Sequence, residues 1–245
     1  METLNDIIDV IVVAGGLGSR MSEISSKYGC KSLVHLNGRP CIDYVIASIR
    51  RVLPSSRIIL CIDSEELIKK FKQLIQLKEI ANIKIYFDKH RGPVQAIYEA
   101  SSLCNSKKVL VFFGNQLVTP SHIKKILAFN DNSVVLSTFS TTSECHSKIA
   151  EIDNNSKILS VSRHNEVRNL LGNERYIDVP YCVPLNFFSM ETFPTLKRLF
   201  VKAPMEKTTL YEEELVYSVD TDSPPEFHFV REIQEIEEFI KKLIG

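Results

Sequence analysis

Along the first half of the chain, short apolar runs alternate with longer stretches whose apolar residues recur at helical spacing. Asp9–Ala14 (DVIVVA) is a β-branched run too short for a helix and stopped by Gly15-Gly16, the pattern of a strand buried on both faces. Arg57–Ile62, Ile83–Phe87 and Lys108–Phe113 read the same way. Between these runs, Pro40–Leu53 has helical spacing with Pro40 suited to the first turn. Glu65–Ile80 carries Leu67, Ile68, Phe71, Leu74 and Ile75 on one stripe, with lysines on the solvent side. Val94–Leu103 predicts a third helix. Alternation of this kind predicts an α/β fold with a mainly parallel central sheet and helices on both faces. Ligands in such sheets sit beyond the carboxyl ends of the strands, here Gly15, Asp63, Asp88 and Gly114. Asp63-Ser64, just ahead of Glu65 and Glu66, reads as a helix cap.

Beyond residue 115 the pattern changes. Ser133–Ser140, Lys148–Ile152, Lys157–Ser162 and Ile177–Ser189 are strand-like and lack the helices that parallel crossovers need. They predict an antiparallel extension that makes the sheet mixed and supplies the second wall of a cleft. Met190–Leu199 and Glu232–Leu243 predict two helices, the latter with Ile233, Ile236, Phe239, Ile240 and Leu243 on one face. With no internal repeat or long linker, residues 1–245 are expected to form a single domain.

Composition narrows the function. Lys+Arg and Asp+Glu both number 30, and no polybasic stretch offers the electrostatic footprint of a nucleic-acid binder, so no nucleic-acid partner is expected. The longest apolar runs fall well short of the roughly 20 residues that cross a bilayer. Glu2, Asp6 and Asp9 stand where a secretory signal would carry positive charge, so neither a membrane partner nor export is expected and the protein is read as cytoplasmic. Six scattered cysteines without a C-x-x-C pair look like reduced core residues, and no second pair accompanies Cys145-His146 to make a zinc site. A Ser/His/Asp hydrolase is excluded by the absence of a G-x-S-x-G elbow.

The chemistry concentrates in Val12-Val-Ala-Gly-Gly-Leu-Gly-Ser-Arg-Met21. Directly after a strand, Gly15, Gly16 and Gly18 let backbone amides turn outward and approach a polyphosphate, and Arg20 adds a charge-assisted fork. The loop is neither a G-x-G-x-x-G dinucleotide fingerprint nor a P-loop with Gly-Lys-Ser/Thr. With Cys30-Lys-Ser-Leu-Val-His-Leu-Asn-Gly-Arg-Pro40 and the helix opening at Ile42, it resembles the sugar-1-phosphate nucleotidyltransferase superfamily. That family shows A-G-G-x-G-[ST]-R, then a lysine, then G-[KR]-P in the same order.

The resemblance implies a Rossmann-like nucleotide-diphospho-sugar transferase fold. Its expected activity is coupling of a nucleoside triphosphate to a sugar phosphate or similar phosphorylated small-molecule acceptor, releasing pyrophosphate. It assigns Ala14, Gly15, Gly16, Gly18 and Ser19 to the triphosphate, and Arg20 and Lys31 to neutralising charge on the α-phosphate and leaving group. Arg91-Gly-Pro-Val-Gln-Ala-Ile97 matches a helix-opening segment near the base, making Gly92 and Gln95 candidates for base or ribose contacts. Residues 1–115 would form the nucleotide-binding half and 116–245 the acceptor-binding half, with homo-oligomer formation left open.

The chain departs from the family at its metal positions. Asn115, in Phe112-Phe-Gly-Asn-Gln-Leu117, stands where the family places an Asp that holds Mg²⁺, and no Asp precedes the last helix in Phe227-His-Phe-Val-Arg-Glu232. Asn115 offers the ion one neutral oxygen, so Mg²⁺ would be held weakly by the protein and mainly by the phosphates. Two alternatives therefore stand beside the transferase: a nucleotide-binding regulatory or scaffold protein of the same fold, and a related glycosyltransferase. At Ser162-Arg-His164 the family has E-K-P, and Arg163 is a candidate phosphate-binding replacement.

Overall fold

A computed structural model describes residues 7–16, 27–78, 80–89, 92–129, 133–139, 148–163, 174–188, 208–209, 216–220 and 232–244. Four parallel strands form its centre: β1 (Asp9–Val13), β4 (Arg57–Ile62), β5 (Ile83–Phe87) and β6 (Lys108–Phe113), in the order β5-β4-β1-β6. Three of the four match the sequence expectation residue for residue, and β1 ends one residue early, at Val13. β1 is central because its Val10, Ile11 and Val12 are wholly buried from both sides.

Alternation within these strands divides the core. Val10, Val12, Ile58, Leu60, Leu110 and Phe112 face α1 (Cys41–Val52), α2 (Glu65–Leu77) and α4 (Pro120–Leu127). Ile11, Ile59, Cys61, Val109 and Val111 face α3 (Pro93–Ser101) on the opposite side. Helices thus cover both faces, as expected.

The boundaries differ from expectation for local reasons. α2 stops at Leu77 rather than Ile80, because the chain must turn through Asn82, at φ 57°, to enter β5. α3 runs from Pro93 to Ser101 because Gly92, at φ 89°, is its N-cap and Pro93 takes the first turn. The α2 cap is Ser64, whose hydroxyl accepts from the Leu67 amide, so the cap expected at Asp63-Ser64 is present. Helix α4 was not anticipated, although Thr119 caps it through the His122 amide and Pro120 opens it. A hairpin was also missed: β2 (His35–Leu36) and β3 (Arg39–Pro40) join through Asn37-Gly38, both at positive φ.

On the far side of β6 the sheet turns antiparallel. β10 (Glu174–Pro184) pairs antiparallel with β6, β7 (Val134–Phe139) and β8 (Lys148–Ile152), and β9 (Ile158–Arg163) pairs antiparallel with β8. A short strand β11 (Thr208–Thr209) borders β9, and β12 (Val216–Asp220) lies parallel to β7. The mixed extension is therefore as predicted. The expected helix at Met190–Leu199 lies outside the described residues. Helix α5 (Glu232–Ile244) is present. No described helix is long and apolar enough to cross a membrane.

Candidate active site at the carboxyl edge of the sheet

The ladder continues briefly past the ends of β1 and β6. Ala14 and Gly15 both donate their amides to the Cys61 carbonyl, at 2.9 and 3.2 Å, and Gly114 donates to Val13 at 2.8 Å. The start of the glycine turn is thereby held between β4 and β6. A Cβ on Gly15 would lie 2.7 Å from the Asp63 carboxyl carbon and 2.8 Å from the Asp63 backbone nitrogen, so only glycine fits without displacing its neighbour. Gly16 follows at φ 115°, exposed, with nothing within 4 Å of where its side chain would be. Gly18, Ser19 and Arg20 lie outside the described residues.

The lysine-bearing segment is brought to this turn by its neighbour. Lys31 begins a 3-10 turn, Lys31–Leu33, whose Ser32 is buried and donates its hydroxyl to the Ala14 carbonyl at 3.0 Å. A Cβ on Gly114 would meet that Ser32 hydroxyl at 2.5 Å and the Ala14 Cβ at 3.1 Å. Ala14, Ser32 and Gly114 therefore interlock, which places half-buried Lys31 one residue from the meeting point. Sequence reasoning missed Ser32, and it did not foresee that Asp63 packs against Gly15. Each was visible only as a small polar residue beside a motif, and its contact partner is distant in sequence.

Asn115 follows Gly114 in a turn closed by the Gln116 amide on the Phe113 carbonyl, and it is buried at 6% exposure. It thus sits at the strand end where the family aspartate was sought. Among the described residues no group of three His, Cys, Asp or Glu side chains is arranged to hold a metal ion. The single neutral side-chain oxygen that Asn115 offers suits an ion that arrives with its own phosphate ligands.

Gly92 and Gln95 lie after β5, two strand positions from β1 along the same edge. The Gln95 amide nitrogen donates to Glu99 at 2.8 Å, and the Tyr86 hydroxyl donates to the other Glu99 oxygen at 2.5 Å. Gln95 is therefore oriented by its own helix. Asp88, another strand-end carboxylate, is buried, and its amide donates to the Ile62 carbonyl at 3.0 Å.

Cys30, beside Lys31, is a buried free thiol whose ionisation burial pushes up to about 11, with the Asp63 charge adding a smaller push. Cys41, Cys61 and Cys104 are likewise buried thiols outside any disulfide, in accord with the reduced core expected of them. Desolvation raises Cys61 as well. Burial raises Cys104 too, so none of Cys30, Cys61 and Cys104 carries the depressed value of a reactive nucleophile.

A parallel sheet with a glycine turn after its central strand, and a lysine segment bonded against that turn, defines an α/β protein of the nucleotide-binding class. Within that class the family is specific. A model described as the MobA-like NTP transferase domain matches residues 10–211, and the chain belongs to this family of nucleotidyltransferases.

Solved structures share the fold over nearly the whole chain. The inositol-1-phosphate CTP transferase from T. maritima is 14% identical, with a TM-score of 0.70 over 97% of this chain and 98% of that one. A putative glucose-1-phosphate thymidylyltransferase from Bacillus anthracis is also 14% identical, with a TM-score of 0.73 over 95% and 94%. The CTP:phosphocholine cytidylyltransferase from Streptococcus pneumoniae is 13% identical, with a TM-score of 0.68 over 96% and 99%. No curated protein matches the sequence.

Proposed function

We propose that this protein transfers a nucleotidyl group from a nucleoside triphosphate to a phosphorylated small-molecule acceptor, a sugar phosphate or similar, with release of pyrophosphate. The observation that carries this reading is the Ser32–Ala14 bond, which sets the Lys31 segment against the glycine turn. The three structural neighbours are named for inositol-1-phosphate, glucose-1-phosphate and phosphocholine, each of which bears a phosphate.

In this mechanism the amides of Gly15, Gly16, Gly18 and Ser19, with Ala14 at their base, hold the triphosphate. An acceptor phosphate oxygen forms a bond to the α-phosphorus as the bond to the β-phosphate oxygen breaks, and pyrophosphate leaves with that electron pair. Arg20 and Lys31 neutralise the charge that develops, and the rate gain comes from positioning and electrostatics with no protein nucleophile. Gly92 and Gln95 contact base or ribose. Residues 1–115 hold the nucleotide and residues 116–245 the acceptor. Asn115 would offer one oxygen to a Mg²⁺ carried by the nucleotide, and that ion would offset phosphate charge.

The test is a panel of nucleoside triphosphates assayed by thermal shift, followed by pyrophosphate release with sugar phosphates and phosphocholine. At least one triphosphate is expected to stabilise the protein, less so in Arg20→Ala and Lys31→Ala, and to yield pyrophosphate with one acceptor. Binding with no pyrophosphate from any acceptor would support the reading that Asn115 favours, a nucleotide-binding member without transfer. Absence of any triphosphate response would refute both.

A further inference from the structure

The C-terminal helix α5 lies beyond residue 211, where the family match ends, yet it reaches back to the segment that carries Lys31. Its apolar face seats Ile236 and Ile240, both buried, among Val34, Leu36, Cys41 and Leu117. Val34 directly follows the Lys31–Leu33 turn and donates its amide to the Lys31 carbonyl at 3.1 Å. Leu117 lies two residues after Asn115. One helix face thus touches the continuations of both segments that meet at Ala14.

The polar contact is more specific. The Asn37 amide donates to Glu237 Oε1 at 2.7 Å, and Asn37 Nδ2 donates to the Glu237 carbonyl at 3.2 Å, a contact spanning 200 residues of sequence. Asn37 is the first residue of the Asn37-Gly38 tip and is held at φ 49°. A hairpin of two-residue strands cannot stabilise itself in water. The rest of the hairpin is fastened elsewhere: the Tyr44 hydroxyl donates to the Leu36 carbonyl at 3.0 Å, the Cys41 amide to the Val34 carbonyl at 2.9 Å, Arg39 pairs with Asp43 at 3.4 Å, and His35 packs on the Tyr28 ring. What α5 adds is the hold on the tip itself, through both the amide and the side chain of Asn37.

We propose that Glu237 is a positioning residue for the nucleotide site: by capping the Asn37–Gly38 tip it locks the hairpin, and through Val34 it fixes where Lys31 stands. This rests on the reading of Lys31 as a phosphate-neutralising residue. It extends that reading to a helix outside the family match. Glu237 itself touches no substrate.

The test uses the full chain as wild type, Glu237→Ala, Glu237→Gln and Lys31→Ala. Triphosphate affinity is measured by calorimetry well below the melting point, and amide hydrogen exchange is followed over residues 31–38. Glu237→Ala is expected to speed exchange across these residues and to weaken triphosphate binding about tenfold, the scale of a small misplacement at a preorganised site. Glu237→Gln keeps an oxygen that accepts from Asn37 and is expected to restore both readouts.

Unchanged exchange in Glu237→Ala, or faster exchange with wild-type affinity, would overturn the proposal. If Lys31→Ala still weakens binding in that case, the reading of Lys31 stands and only the role of Glu237 falls. If Lys31→Ala binds like wild type, the reading of Lys31 falls and takes the proposal with it.

Discussion

The two ends of the central strands solve opposite problems. At the amino end, Asp9 is 1% exposed and its carboxylate is saturated: it accepts from the amides of Asn105 at 2.5 Å and Ser106 at 2.9 Å, and from Arg57 at 2.8 Å. Ser106 returns the contact by accepting from the Asp9 amide at 3.0 Å. Charge there is spent on tying β1, β4 and the turn before β6 together. At the carboxyl end the same strands are joined by backbone bonds and by glycines under which Asp63 and Ser32 fit closely, and Gly16 beyond them is open. One edge is built for stability and the other leaves backbone available, the division expected where ligands bind past strand ends.

Substitutions should separate the edges. Asp9→Ala leaves two amides without their buried acceptor, and the partly exposed Arg57 without its partner, and should destabilise the fold by about 2–4 kcal/mol in urea unfolding. Triphosphate affinity of the folded fraction should be unchanged, and a loss of affinity would break the division between edges. Next in size, Gly15→Ala should lower stability by about 1–3 kcal/mol through the clash with Asp63 and abolish the triphosphate-induced thermal shift. Adding Asp63→Ala should recover part of the stability, because neighbours that share one space are non-additive. Fully additive losses would show that Asp63 is not what Gly15 yields to.

Two smaller effects refine the picture of the carboxyl edge. Asn115→Asp, by adding a charge at the strand end, should tighten Mg²⁺ binding in the presence of triphosphate by roughly tenfold in a calorimetric titration. An unchanged Mg²⁺ response would remove Asn115 from the site.

The smallest effect is on pH dependence. Burial holds the Cys30 thiol protonated in the folded chain up to about 11, while the unfolded thiol ionises near its ordinary value of 9.0. The unfolded state therefore loses the proton first. The Cys30 contribution is intact well below pH 9 and lost as pH rises toward 11, a loss on the order of 1 kcal/mol by about pH 9.5. Unfolding midpoints compared with Cys30→Ala across that range should show the slope reduced in the variant.

How much of this was legible follows from how local each signal is. β4, β5 and β6 were readable to the residue because each is a two-faced apolar run bounded by polar residues, a pattern that needs no knowledge of partners. Helix α4 was passed over because only Ile123, Ile126 and Leu127 mark its face in eight residues, yet Thr119-Pro120 is a start signal that a stricter reading would have used. The Asn37-Gly38 turn was equally available, but strands of two residues leave no alternation to notice. The branching of β10 onto three partners, with a register shift between Asp178 and Tyr181, has no counterpart in local pattern.

For the candidate site, the glycine turn made Ala14, Gly15 and Gly16 candidates, because a turn that can approach phosphates has a compositional requirement written in consecutive positions, and Lys31 became one through the family resemblance. Residue order alone also settled the α/β class and the parallel centre, since periodicity and alternation are properties of the chain. That Ser32 bonds Ala14, that Asp63 fills the space beside Gly15, and that Glu237 caps a turn 200 residues away were decided only when the chain was folded. Such contacts depend on which surfaces end up within a few ångströms, and a short polar side chain carries no mark of the partner it will meet.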